Sequence, residues 1–135
     1  MQPEVRALIE GANYAHVASL LPDGSPHSVA VWVGLDGDRP TFFTQTTSLN
    51  AKNLERDPRV AISITDHENP YSTARIRGRV VDKLYGDEAL AAMDVISRKY
   101  TGEDFPMRGP NGVLFVIEPE KVSHMQLPFE HNPSA

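Results

Sequence analysis

The sequence predicts a mainly β fold of the α+β class, a six- to seven-stranded antiparallel barrel with short inserted helices. Three observations lead there. Apolar residues recur in several short runs with the period of two that a half-buried strand requires. Turns rich in Pro, Asp and Gly join most of these runs, too short for the crossover that parallel strands need. Only three stretches switch to helical spacing. One domain, 1–135, is expected, with 128–135 as a polar C-terminal tail.

Pro3-Glu4 opens a short helix, since Pro is tolerated at the first helical position and Glu suits the positive end of the helix dipole. Val5, Leu8 and Ile9 form its apolar face and Gly11 ends it. Ala15–Leu21 reads as a strand buried on both sides, and Pro22-Asp23-Gly24-Ser25 turns it into a second strand, Ser28–Val33. Asp36-Gly37-Asp38 leads to a third strand, Thr41–Thr46. Ser48 can cap a helix carrying Leu49, Ala51, Lys52 and Leu54, which Asp57-Pro58 stops. Arg59–Thr65 is a fourth strand, followed by the polar loop Asp66–Pro70. In the fifth strand Ala74, Ile76, Gly78 and Val80 alternate with Arg75, Arg77 and Arg79, giving one apolar and one basic face. Asp87–Tyr100 is the best helix, with Leu90, Met93, Ile96 and Tyr100 stacked as a core stripe. A loop from Thr101 to Gly112 precedes one or two last strands, Val113–Ile117 and Val122–His124, around Pro119. A chain of this length supports one modest core and not two.

Composition excludes several functions. With no Cys there is no disulfide scaffold, thiolate metal site or cysteine nucleophile, and a reducing cytoplasm is the expected setting. No uncharged run approaches the ~20 residues that span a bilayer, and Met1–Glu4 has neither the basic nor the apolar region of a signal peptide. The net charge of −5 argues against nucleic acid as a partner. The charge is uneven: residues 1–47 carry 2 basic and 5 acidic side chains, 48–83 carry 7 and 5, and 84–135 carry 4 and 8. An anionic ligand therefore belongs with the middle segment.

The chain lacks the glycine-rich nucleotide fingerprints, HExxH and GxSxG. His16, His27, His67, His124 and His131 never pair at i, i+4, so no metal site is expected, and Asp66-His67-Glu68 reads as a solvated loop. Thr44–Leu54 is different. Hydroxyl and amide side chains run from a strand directly into a helix start, where N–H groups carry partial positive charge. With Ser48, Asn50 and Lys52 added, the corner reads either as a phosphate site or as a plain helix cap. Arg75, Arg77 and Arg79 form either a solvated or interfacial ribbon or a carboxylate-binding one. Trp32, flanked by Ser28 and Ala30, is either a core residue or a wall against which a flat ring lies.

Taken together, His27-Ser28-Val29-Ala30-Val31-Trp32, Thr44, the run Lys52-Asn53-Leu54-Glu55-Arg56-Asp57-Pro58-Arg59-Val60-Ala61-Ile62, Asn69-Pro70-Tyr71 and Ile76-Arg77-Gly78-Arg79-Val80-Val81 resemble the pyridoxamine-phosphate-oxidase-like split β-barrel family. Within it they are similar to the deazaflavin-dependent oxidoreductases, which use coenzyme F420 in place of FMN. The resemblance covers nearly the whole chain and implies a homodimer with cofactor sites between protomers. The cofactor ring would lie along the second strand near Val29, Ala30, Val31 and Trp32, and its phosphate would meet Thr44, Thr46, Ser48, Asn50 and Lys52, with Ser28 and Asn53 also among the cofactor-binding residues. Tyr71, Arg75 and Arg77 would come from the partner chain, and Arg56 with Arg75 and Arg77 would meet a long anionic tail. Relatives often carry a basic pair where this chain has Leu49-Asn50.

The activity so implied is hydride transfer from reduced deazaflavin to an unsaturated small-molecule substrate. The alternatives are an FMN-dependent oxidase or reductase of the same fold and a non-catalytic cofactor-binding dimer. No residue stands out as a catalytic acid; Tyr71 and His27 are the candidates, and Asp66–Tyr71 and Thr101–Asn111 are the expected substrate-facing loops.

Overall fold

The computed structural model describes residues 1–134; Ala135, the end of the expected tail, lies outside the described residues. Three helices, α1 (Pro3–Glu10), α2 (Leu49–Arg56) and α3 (Gly86–Thr101), interrupt seven strands. These are β1 (Ala15–Leu20), β2 (Pro26–Val31), β3 (Val33–Asp36), β4 (Arg39–Gln45), β5 (Arg59–Thr65), β6 (Ser72–Tyr85) and β7 (Gly112–Gln126). Each strand runs antiparallel to its neighbours in one sheet of order β2-β1-β5-β6-β7-β4-β3.

That order carries a geometric consequence. β2 and β3 are the two outer edges of the sheet, yet only Trp32 separates them in the chain. A sheet whose opposite edges meet through one residue must curl round on itself. The two edges share no ladder, so the barrel stays split, with its seam at Trp32. The expected second strand, Ser28–Val33, is therefore two strands broken at the aromatic residue.

Inside the curl lies the main core, where Val17, Val33, Phe42, Ile62, Ile76, Phe115 and Ile117 from six strands meet Val5, Leu8 and Ile9 of α1 and Leu54 of α2. Phe42 and Phe115, paired across β4 and β7, stack at 5.2 Å. Contrary to the one-core expectation, α3 buries a second cluster on the other side of the sheet. Ala89, Met93 and Ile96 pack there on Leu114 and Val116, with Trp32, Phe43, Tyr100 and Phe105 around them. Length limits the total apolar area hidden, not its division between the two faces of β7. Leu90 of the expected stripe is only half-buried.

β1 also departs from expectation. Ala15, Val17 and Ser19 are buried, but His16 is exposed and Ala18 and Leu20 are half-buried, so the strand has one core face. β6 keeps its apolar and basic faces and runs on to Tyr85, and β7 is one strand rather than two. It passes Pro119 through a register shift opposite Gly78. Pro cannot donate to a ladder, and here it falls where pairing is already irregular.

Gly78 explains how the strands approach so closely. A Cβ at this position would lie 2.1 Å from the carbonyl oxygen of Glu118, and backbone cannot move aside as a flexible side chain does. Replacing Gly78 with Ala should lower the unfolding free energy by about 3 kcal/mol, the upper range for forced overpacking. Urea denaturation measures this, and stability within about 0.5 kcal/mol of wild type would contradict the contact.

Candidate functional site

The seam opens as a cleft of about 350 Å3. One wall is the end of β2, Val29 to Val31, with Trp32; the other is Phe43 and Thr44 of β4; Asn50 of α2, Tyr14 and Phe105 complete the lining. An edge strand has unpaired backbone N–H and C=O groups on its open side, so β2 offers main-chain donors and acceptors beside aromatic surface. Pockets of this kind, apolar with a few convergent polar groups, are the usual form of a small-molecule site.

The aromatic wall is fixed from behind. Trp32 lies parallel to Tyr100 of α3, at a centroid distance of 5.1 Å and an interplanar angle of 8°. Phe43 and Phe105 meet Trp32 edge-on at 6.2 and 6.4 Å. Phe105 sits in the loop after α3 and is pinned by Asp94, a buried carboxylate of that helix. Asp94 accepts the Phe105 backbone N–H at 3.0 Å and holds Arg108 through two bonds of 2.9 and 3.0 Å. The Arg108 hydrogen bonds keep the Asp94 carboxyl below its ordinary pKa, against the opposing effect of burial.

Tyr100 and Lys99 clamp the strand break itself. The Tyr100 hydroxyl donates to the carbonyl of Asn13 at 2.5 Å and accepts the N–H of Val33 at 3.2 Å. The Lys99 ammonium donates to the carbonyls of Ile9 at 2.7 Å and Val33 at 2.5 Å, and lies 4.7 Å from the centre of the Tyr100 ring. Burial raises the Tyr100 pKa and lowers that of Lys99 from 10.5 to about 8, while Glu10 pulls Lys99 the other way.

At the polar end, Ser48 caps α2 by accepting the Ala51 N–H at 3.1 Å. The first-turn N–H groups of Leu49 and Asn50 have no acceptor within the helix. Asn50 lines the cleft yet is 6% exposed, and its Oδ1 is buried without a hydrogen-bond partner. An orphaned amide oxygen costs about 1–3 kcal/mol, a penalty that a bound ligand or water relieves. Lys52 is exposed on the same helix and forms no ion pair among the described residues.

The fourteen site residues read from sequence fall into separate groups. Val29, Ala30, Val31, Trp32, Thr44 and Asn50 share the cleft. Ser28 faces a neighbouring groove of about 830 Å3 on the outer surface of the sheet. That groove also holds Arg75, Arg77 and Lys121, none of them ion-paired among the described residues. Thr46 turns to a small recess with Glu55 and Lys83. Asn53 belongs to the fold: it is fully buried, donating to Ser19 Oγ and accepting from Arg56. Arg56, assigned above to a cofactor tail, is likewise occupied by the Leu20 carbonyl. Tyr71 stacks edge-on against Phe129 at 5.4 Å and, like His27, lies outside the cleft of its own chain.

Sequence reasoning missed Tyr14, Phe43, Tyr100 and Phe105. Phe105 left one signal, being the single large aromatic in an otherwise polar, Gly- and Pro-rich loop. Among the described residues no group of three His, Asp or Glu side chains is placed to hold a metal. No described helix is long and apolar enough to cross a membrane.

This architecture is that of a flavin-type split barrel, and the chain belongs to the pyridoxamine 5'-phosphate oxidase family, whose model matches residues 1–126. It is similar to a solved F420 reductase at 31% identity over 87% of this chain and 94% of that one, with a TM-score of 0.78. A conserved hypothetical protein of Mycobacterium tuberculosis shares the fold at 22% identity over 100% and 94% of the two chains, TM-score 0.80. So does a pyridoxamine 5'-phosphate oxidase-related, FMN-binding protein of Nostoc punctiforme, at 20% identity over 88% and 76%, TM-score 0.66. No curated protein matches the sequence.

Two outcomes follow from the site. Asn50→Leu removes the orphaned amide and should raise stability by about 1 kcal/mol in denaturant unfolding while weakening ligand binding. Loss of stability would show that Asn50 serves the fold. For Lys99 the native state releases its proton near pH 8, the unfolded chain near 10.5. Between those values the unfolded state holds more protons, so stability should rise with pH. The contribution is lost as pH falls through about 8. Lys99→Met should remove that rise relative to wild type.

Proposed function

We propose that the protein is an F420-dependent reductase, transferring a hydride from reduced deazaflavin to an unsaturated small molecule. The observation that carries this reading is the cleft at the seam, where an aromatic wall and a free strand edge meet an orphaned buried amide at a helix start. The donor set fits a flat ring with a phosphate: apolar surface for the ring, helix N–H groups and the nearby Lys52 charge for the anion. Similarity to the F420 reductase favours deazaflavin over FMN.

When bound, the deazaflavin supplies two-electron hydride chemistry. The chain supplies the surroundings. Val29, Val31 and Trp32 exclude water from one ring face and hold the ring in register with an acceptor. Asn50, the first turn of α2 and Lys52 hold the phosphoryl group. Tyr14 brings a phenolic hydroxyl to the cleft lining, which makes it a nearer donor candidate than Tyr71 or His27, both outside that lining.

A second copy of the chain completes this reading. Arg75 and Arg77 lie in the outer groove, and a partner protomer seated on that face carries them towards the neighbouring cleft as counter-charges for a long anionic tail. FMN has no such tail, which is the physical distinction between the two cofactors here.

The sole tryptophan, Trp32, gives a direct readout. Adding F420 should quench its fluorescence saturably, and reduced F420 should be consumed with an enone or quinone acceptor. Replacing Arg75 and Arg77 together with Ala should weaken F420 by about tenfold, roughly 1.4 kcal/mol, and leave FMN unchanged. Tight FMN binding without F420 binding moves the assignment to an FMN enzyme, and binding without turnover to a cofactor carrier.

A further inference from the structure

The two hydrogen bonds of the Tyr100 hydroxyl join segments far apart in sequence, Asn13 at the α1–β1 junction and Val33 at the start of β3. Lys99 adds the carbonyls of Ile9 and Val33. Both therefore hold Val33, the residue after the break, while the Tyr100 ring backs Trp32 at 5.1 Å. Asn13 extends the connection: its side chain accepts the His67 N–H at 2.8 Å and donates to the Leu8 carbonyl at 2.9 Å. The last turn of α3 thus fixes where one barrel edge ends and the other begins.

We propose that Tyr100, braced by Lys99, is a positioning residue that sets the plane of Trp32 and thereby the width of the cofactor cleft. Trp32 cannot be held by its own strand, because the backbone leaves the ladder at this position. Of its aromatic neighbours, only Tyr100 lies parallel to it; Phe43 and Phe105 meet it by their edges. Removing the hydroxyl leaves ring surface in place but frees the Val33 N–H and the Asn13 carbonyl, so the break gains freedom without a cavity in the core. The consequence for ligands rests on the functional reading above; the consequence for Trp32 does not.

The test compares wild type with Tyr100→Phe, Tyr100→Leu and Lys99→Met, with Leu90→Ala as a control on the same helix, at a side chain that lines the recess of Gly109 and Gly112 rather than the break. In the absence of ligand, near-ultraviolet circular dichroism and acrylamide quenching report the packing of Trp32. Quenching should increase in the order Phe, then Leu at position 100, with Lys99→Met resembling Tyr100→Phe and the control matching wild type. With F420 added, affinity should fall about tenfold in Tyr100→Phe and further in Tyr100→Leu. The control should bind as wild type does. An unchanged Trp32 signal in Tyr100→Leu overturns the proposal, as does an altered signal with unaltered affinity, and both leave the cofactor reading standing. Failure of wild type to bind F420 or FMN overturns that reading instead, and the ligand-free Trp32 signal alone then decides the role of Tyr100.

Discussion

The structure depends on one constraint: consecutive strands placed at opposite edges of a single sheet, with one residue between them. Because β2 ends at Val31 and β3 begins at Val33, the sheet cannot lie flat. It also cannot close, because an edge that turns sharply at Trp32 has no partner to pair with there. Free edges invite intermolecular pairing. This chain keeps β3 to four residues ending in Asp36 and starts β2 with Pro26, both of which blunt an edge. What remains is a gap with main-chain polar groups on one side and aromatic surface on the other. The same feature that splits the barrel opens the candidate cleft.

The second helix divides its residues between fold and cleft, and the division runs against the conspicuousness of the motif. In the run Asn53–Ile62, Asn53 bonds Ser19, Arg56 reaches the Leu20 carbonyl, Asp57 pairs with Arg59 at 2.8 Å, and Leu54, Val60 and Ile62 enter the core. Asn53, Leu54 and Arg56 fasten α2 to the sheet, Asp57 ties the helix end to β5, and Val60 and Ile62 seat that strand in the core. The residues that face the cleft, Asn50 and Thr44, lie outside that run. A signature of this kind marks the barrel because it builds the barrel, and it says little about which cofactor the barrel takes.

This is why the fold was more legible than the site. Alternation in Ala74–Val80 and the helical spacing of Met93 and Ile96 are consequences of burial on one face, and burial leaves a local pattern. The break at Trp32 leaves none, since Ser28–Val33 alternates as one strand and only the global strand order forces it apart. The half-open face of β1 was hidden for a related reason: Ala18 and Leu20 are apolar but only half-buried, Ala18 bordering the outer groove rather than a core. Likewise Tyr100 reads as the end of a core stripe. Its hydroxyl partners, 67 and 87 residues away, have no trace in local sequence.

Charge shows the same step from count to geometry. The middle segment carries seven cations against five acids, but the sum conceals their roles. Arg59 and Arg79 are neutralised by Asp57 and Glu120, and Arg56 is spent on backbone carbonyl and amide oxygens. Lys52, Arg75, Arg77 and Lys83 are left without ion partners among the described residues, Lys83 in the small recess that Glu55 also lines. Lys52 stands in the first turn of α2, two residues after the cleft-lining Asn50, whereas Arg75 and Arg77 of β6 occupy the groove that Ser28 of β2 borders. Solvated guanidinium groups gain little from surface pairing, so leaving them unpaired costs the fold almost nothing. A single protomer therefore separates the two parts of its positive charge across the outer face of the sheet. Only an anion long enough to pass from one to the other, or a second protomer that brings the arginines to the first one's cleft, makes them one site.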